Sequence, residues 1–191
     1  VEEDIKPFRD VLLGLFFVTV GMQIDVALLM REPVLILIGA LGLFLLKGAI
    51  IVSGNDACIV LAEGLFGSEE AYARAATARA KELGMTGSTF ANATGLDAPA
   101  HRMRAHDIAL IAHRNIKDFP VGYPLFREPE FTFNKTRQYN RNPLLRELDG
   151  ADGVKTGHLS VSGYGLVGSA IREGKRRIIV LNGLASETDR K

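Results

Sequence analysis

The chain has 191 residues, a net charge of +1 and 47% hydrophobic residues, enough for one ordinary domain or a small domain with an appendage. So balanced a charge excludes a global field for nucleic acid, and function must come from a local site. The single cysteine, Cys58, excludes an internal disulfide framework, and no Cys/His spacing suits a structural zinc.

Val1–Asp10 is charged and surrounds Pro7. No basic segment followed by a small-residue cleavage site is visible, so no signal peptide is expected. An apolar run covers Val11–Val20, is interrupted at Gly21-Met22-Gln23-Ile24-Asp25, resumes over Val26–Met30 and ends at Arg31-Glu32-Pro33. A second run covers Val34–Leu46, carries Gly39 and Gly42, passes Lys47-Gly48 and continues through Ala49–Val52. A bilayer-spanning helix needs about 20 apolar residues. The second run reaches that length, and the first does so only with Gln23 and Asp25 included, although an ionisable residue in lipid is costly. Glycines suit close helix packing in lipid. Two membrane-type helices are expected, with membrane contact through residues 11–52; the alternative is a pair of helices buried in a soluble core.

The character changes at Ser53-Gly54-Asn55-Asp56, a turn-and-cap cluster. Apolar spacing at Cys58, Ile59, Leu61, Ala62 and Leu65 predicts a helix over Asp56–Leu65, closed by Gly67, with Cys58 packed in the core. Ser68 is a good N-cap for a second helix that runs to Leu83 and is closed by Gly84. Residues 85–100 read as loop, Ala105–Phe119 as helix before Pro120, Phe131–Phe133 as a short strand, and Arg137–Glu147 as polar loop. Gly153–Gly157 enters a strand, and Tyr164–Ile171 with Arg177–Leu184 form a hairpin around Glu173-Gly174-Lys175. Helices first and antiparallel strands last is an α+β pattern.

Two short motifs carry chemistry. Ser53-Gly54-Asn55 taken by itself is more often a turn and helix cap, and Lys155-Thr156-Gly157 taken by itself is a common loop sequence. Their flanks change that. Ser53-Gly54-Asn55-Asp56-Ala57-Cys58, Lys81-Glu82-Leu83-Gly84-Met85, Gly95-Leu96-Asp97, His101-Arg102-Met103, Phe131-Thr132-Phe133-Asn134, Asn140-Arg141-Asn142 and Asp152-Gly153-Val154-Lys155-Thr156-Gly157-His158 together resemble the serine-type D-alanyl-D-alanine carboxypeptidases, the low-molecular-mass penicillin-binding proteins. The resemblance implies a sheet of the penicillin-binding/β-lactamase type over residues 51–191, incomplete, since a C-terminal helix that covers the sheet is expected beyond Lys191.

It also implies roles. These enzymes transfer an acyl group to a serine and then hydrolyse the acyl-enzyme, using Ser-x-x-Lys, a Ser-x-Asn element and Lys-Thr-Gly. Ser53 would relay a proton to the leaving amine. Asn55 would bond the substrate amide or the active-site lysine. Lys155 and Thr156 would hold the terminal carboxylate, and Gly157 would keep the strand bare. The backbone N–H of His158 would be an oxyanion donor, a role worth roughly 10²–10³ in rate. The implied partners are the peptidoglycan stem pentapeptide and β-lactams, with no metal or organic cofactor and no nucleic acid. Two departures stand out. No Ser-x-x-Lys precedes Ser53, so no nucleophile is found, and Arg104 stands where the family usually has a Ser or Thr helix cap.

Residues 1–50 resemble instead the potassium-efflux type of monovalent cation:proton antiporters, on Ile5-Lys6-Pro7-Phe8, Leu12-Leu13-Gly14-Leu15-Phe16-Phe17, Val20-Gly21-Met22 and Ile24-Asp25. The expectation is a fusion: an antiporter-like membrane fragment over 1–50 and a partial carboxypeptidase domain over 51–191, located at the cell membrane with the second part extracytoplasmic. The expected function is D-Ala-D-Ala carboxypeptidase by family, without turnover in this chain. An antiporter fragment and a non-catalytic module that binds peptidoglycan stems through Lys155 and Thr156 are the alternatives.

Overall fold

The computed structural model describes residues 30–190. Residues up to Leu41 and Gly42–Lys191 form two compact units. Helix α1 spans Pro33–Ile51 and is the one helix among the described residues long and apolar enough to cross a membrane. At 1.5 Å per residue its 19 residues reach about 28 Å. The other expected membrane helix lies outside the described residues. Val34, Leu35, Leu37, Ile38 and Leu41 are all exposed, as expected for the apolar run. Within the second unit α1 is anchored. Gly48 and Ile51 are buried, the Phe44 ring stands 5.1 Å from Phe131 and 5.7 Å from Phe133, and Lys47 pairs with Glu128 at 2.8 Å.

Two helices follow, α2 (Asn55–Phe66) and α3 (Glu69–Glu82), packed on each other. Their buried positions are alanines, Ala57 and Ala62 on α2 and Ala73 and Ala80 on α3, which let the backbones approach closely. Gly67 closes α2 at φ 82, and the Ser68 hydroxyl caps α3 by accepting from the Ala71 N–H at 3.1 Å. Helix α4 (Ala105–Asp118) rests on the sheet and buries Asp107, whose carboxylate accepts from the Ser88 hydroxyl at 2.7 Å. Arg104 occupies the N-cap of α4 and makes no side-chain cap bond.

A 3₁₀ turn at Tyr123–Arg127 leads to a small hairpin, β1 (Glu130–Phe133) and β2 (Thr136–Tyr139). The second strand and the short helix α5 (Leu144–Glu147) correct the expectation of polar loop over Arg137–Glu147. The β1–β2 turn is Asn134-Lys135, both at positive φ (47 and 62), the two-residue turn that matches strand twist. It lacks the glycine that normally announces such a turn.

The main sheet has order β3-β4-β5, all antiparallel: β3 Ala151–Leu159, β4 Gly163–Arg172 and β5 Lys175–Leu184. Glu173 and Gly174, at φ 52 and 71, make the β4–β5 turn where the hairpin was expected. Among the described residues β3 and β5 are the two edges of this sheet, and Thr188–Arg190 forms a last 3₁₀ turn.

Candidate active site

The site forms where the turn between α1 and α2 meets the edge strand β3. Ser53 sits in that turn at φ 58, a left-handed conformation for a non-glycine residue. The turn is closed by the Gly54 N–H, which donates to the Gly48 carbonyl at 3.0 Å. So placed, the Ser53 hydroxyl accepts directly from the Lys155 ammonium, across 102 residues of sequence. Lys155 also donates to the Thr156 carbonyl at 3.3 Å. The two sequence motifs are therefore in contact.

Burial pushes the Lys155 ammonium down from 10.5 to about 8, and the nearby positive charge of Arg141 adds to that. Arg190 acts in the same direction, while Cys58 opposes it. Cys58 is half-buried, and its thiol is raised by burial and drawn back by Lys155, so it borders the site rather than filling the core as the sequence pattern suggested.

Asn55 is the exposed first residue of α2, and its side chain makes no hydrogen bond among the described residues. Thr156, Gly157 and His158 lie along β3. A Cβ added at Gly157 would meet no heavy atom within 4 Å, and the far side of β3 has no strand partner among the described residues. An extended peptide can add there as a further strand. The His158 ring stacks on Tyr164 at 4.0 Å.

Sequence reasoning missed the other cations. Asn140 donates to the Phe126 and Glu128 carbonyls at 3.3 and 3.0 Å and accepts from the Asn142 N–H at 3.0 Å, and Asn142 accepts from the Leu144 N–H at 3.1 Å. The two asparagines brace the loop that carries Arg141 to within range of Lys155. Arg190, 7% exposed, lies over the Tyr164 ring at 5.0 Å. The Asn-Arg-Asn phrase was a signal for the first; nothing in the sequence marked the second. A partly buried lysine flanked by two arginine charges, beside an open strand edge, is suited to a carboxylate at the end of an extended chain.

The D-alanyl-D-alanine carboxypeptidase family matches residues 44–185, so the matched segment begins inside α1. D-alanyl-D-alanine carboxypeptidase DacC of Escherichia coli (strain K12) is 47% identical over 145 residues, 75% of this chain and 36% of that protein. DacA of the same organism is 39% identical over 167 residues, 87% of this chain and 37% of that protein. The chain thus spans about a third of the length of these curated relatives. Penicillin binding protein 5 from Haemophilus influenzae superposes with a TM-score of 0.74 at 38% identity, over 76% of this chain and 43% of that one. Penicillin-Binding Protein D2 from Listeria monocytogenes, solved in an ampicillin-bound form, superposes at 0.71 with 29% identity, over 78% of this chain and 62% of that one. With the family match covering most of its length and the two motifs in contact, the chain belongs to the D-alanyl-D-alanine carboxypeptidase family.

Proposed function

We propose that the chain holds peptides ending in D-Ala-D-Ala, the termini of peptidoglycan stem pentapeptides, in the manner of a serine-type D-Ala-D-Ala carboxypeptidase, and that it does so without turnover. The observation that carries this reading is the contact between Lys155 and Ser53, which makes one site of two distant motifs. Lys155, with the charges of Arg141 and Arg190 behind it, takes the terminal carboxylate, and the Thr156 hydroxyl adds a donor. Gly157 leaves β3 bare, so the peptide backbone lies along it and reaches the His158 N–H. By the family roles, Ser53 would relay a proton toward the leaving D-Ala nitrogen, and Asn55 would hydrogen-bond the substrate amide or the active-site lysine.

In the family reaction a serine hydroxyl adds to the penultimate carbonyl, the peptide C–N bond breaks as the D-Ala nitrogen takes a proton, and water then cleaves the ester. No Ser-x-x-Lys occurs in these 191 residues, so the attacking group of that reaction is not found among them. β-Lactams share the carboxylate-bearing shape and are proposed as non-covalent ligands of the same edge, a reading supported by the likeness to an ampicillin-bound protein. The exposed apolar surface of α1 supports attachment to the cell membrane with the carboxypeptidase-like part outside the cytoplasm. The family match begins at residue 44, inside the stretch 1–50 expected to be antiporter-like.

The test is calorimetric titration of the detergent-solubilised chain with diacetyl-L-lysyl-D-alanyl-D-alanine, wild type against Lys155→Ala, alongside a gel assay with fluorescent penicillin. Binding by the wild type, at least tenfold weaker in the variant, with no covalent label, is expected. Equal affinities would sink the binding assignment, and release of D-Ala or a labelled band would sink the claim of no turnover.

A further inference from the structure

We infer that Asp152 and Arg176 are positioning residues, and that their ion pair fixes a bulge at the root of β3 which decides the face of the sheet on which Lys155 emerges. The inference rests on the reading of β3 as the ligand-holding strand.

The register carries it. Ala151 pairs with Ala170, but Gly153 pairs with Ser169, so β3 spends two residues where β4 spends one. Asp152 is the extra residue. A bulge of this kind re-aims the side chains that follow, because a one-residue change of register moves every one of them to the other face. With the bulge, Lys155 lies opposite Val167 and Thr156 opposite Leu166. Without it, continuous pairing from Ala151 would bring Lys155 opposite Leu166, and Leu166 is 2% exposed. The ammonium would then lie on the face that Thr156 and Leu166 share, away from Ser53.

Two elements hold Asp152 in place, and a third braces its arginine partner. Arg176, on β5, donates to both carboxylate oxygens, Nη1 to Oδ1 at 2.8 Å and Nη2 to Oδ2 at 2.7 Å. The same Nη1 donates to the hydroxyl of Ser169 at 2.5 Å, and Ser169 is the β4 residue that receives the shifted pairing. Tyr123, in the 3₁₀ turn, donates its hydroxyl to Asp152 Oδ1 at 3.3 Å and lies with its ring 5.5 Å from the Arg176 guanidinium carbon. A Cβ on Gly153 would stand 2.6 Å from the Tyr123 hydroxyl oxygen, so any other residue directly after Asp152 would displace that hydroxyl. A two-pronged arginine–carboxylate pair fixes geometry as well as charge. The charges that act on Lys155 are those of Arg141, Cys58 and Arg190, and Asp152 is not among them. Asp152 therefore acts on Lys155 through strand register, not through its field.

The test compares wild type, Asp152→Asn and Arg176→Lys as full-length chains in detergent. Lysine-labelled NMR follows the titration of Lys155, and titration with diacetyl-L-lysyl-D-alanyl-D-alanine follows affinity. Asp152→Asn is expected to move the Lys155 midpoint by at least tenfold in acid constant and to weaken the peptide at least tenfold. Arg176→Lys, which keeps the charge but loses the two-pronged contact, gives an intermediate loss. Asp107→Asn, which loosens the buried contact with Ser88 away from β3, is the stability control and leaves the Lys155 titration at its wild-type position. A lowered melting temperature in Asp152→Asn with an unmoved Lys155 titration would overturn the inference. Should Asp152→Asn fail to fold, Tyr123→Phe removes one bond of the network, and an unmoved titration in that variant overturns the inference equally. A wild type that binds no peptide refutes the reading of the site, while the Lys155 titration still decides the role of the ion pair.

Discussion

Replacing Lys155 with methionine is expected to make the folded protein more stable while it destroys the proposed ligand contact. Folding lowers the ammonium from 10.5 to about 8. At about 1.4 kcal/mol for each tenfold change in acid constant, holding this charge costs folding roughly 3 kcal/mol at neutral pH. Methionine keeps the length and apolar stem of the side chain and carries no charge. It leaves the Ser53 hydroxyl without its donor, a loss of about 1 kcal/mol. The net expectation is a variant more stable by about 2 kcal/mol at neutral pH. The sign reverses with alkali. Between about pH 8 and pH 10.5 the folded wild type has released the Lys155 proton while the unfolded chain still binds it, so wild-type stability rises with pH across that window. The variant has no such group. Its advantage therefore shrinks through the window and becomes a disadvantage of about 1 kcal/mol, the Ser53 loss, at the top. Urea unfolding followed by far-UV circular dichroism at a series of pH values measures the difference, with Cys58→Ala as the common background because Lys155 acts on that thiol, and the other titrating groups cancel between the two proteins. A variant no more stable than wild type at neutral pH, or an advantage that stays flat across the window, would refute the reasoning.

Gly157→Val places a β-branched side chain where no heavy atom lies within 4 Å, so thermal unfolding should change by no more than about 0.5 kcal/mol while peptide titration shows at least a tenfold loss. A large stability loss would show that the edge of β3 is not open. Ser88→Ala removes the hydrogen bond that, ahead of the contact with His106, holds the Asp107 carboxyl below its usual range. The stability this carboxylate contributes is present above its ordinary pKa and is lost as pH falls through the lowered one, so the variant should unfold at a higher pH in an acid titration followed by circular dichroism; identical midpoints would remove Ser88 as the cause.

The helices and the main hairpin were legible because their signals are local. Gly67 and Ser68 punctuate α2 and α3 through backbone conformation and a cap, and Glu173-Gly174 supplies the positive φ that a two-residue turn needs. Strand β2 was missed because Asn134-Lys135 makes the same turn without a glycine, and because its residues, Thr136–Tyr139, are exposed and show no apolar alternation. In the site, Ser53, Lys155 and Gly157 were legible as motif residues. Arg141 was visible only as part of the Asn-Arg-Asn phrase and Arg190 not at all, because their effect on Lys155 depends on a braced loop and a terminal turn that meet only in three dimensions. The bulge at Asp152 was equally hidden, since an extra residue in one strand is defined only against its partner.

The open edge of β3 has a consequence beyond ligand recognition. An unpaired strand edge is a template for any extended chain, including the same strand in a second molecule. Gly157 offers no side chain to obstruct such pairing, and Lys155 supplies the charge that repels an identical edge. The ammonium proposed to attract a carboxylate is thus also a gatekeeper against self-association, so that selectivity for ligand and colloidal stability depend on one proton.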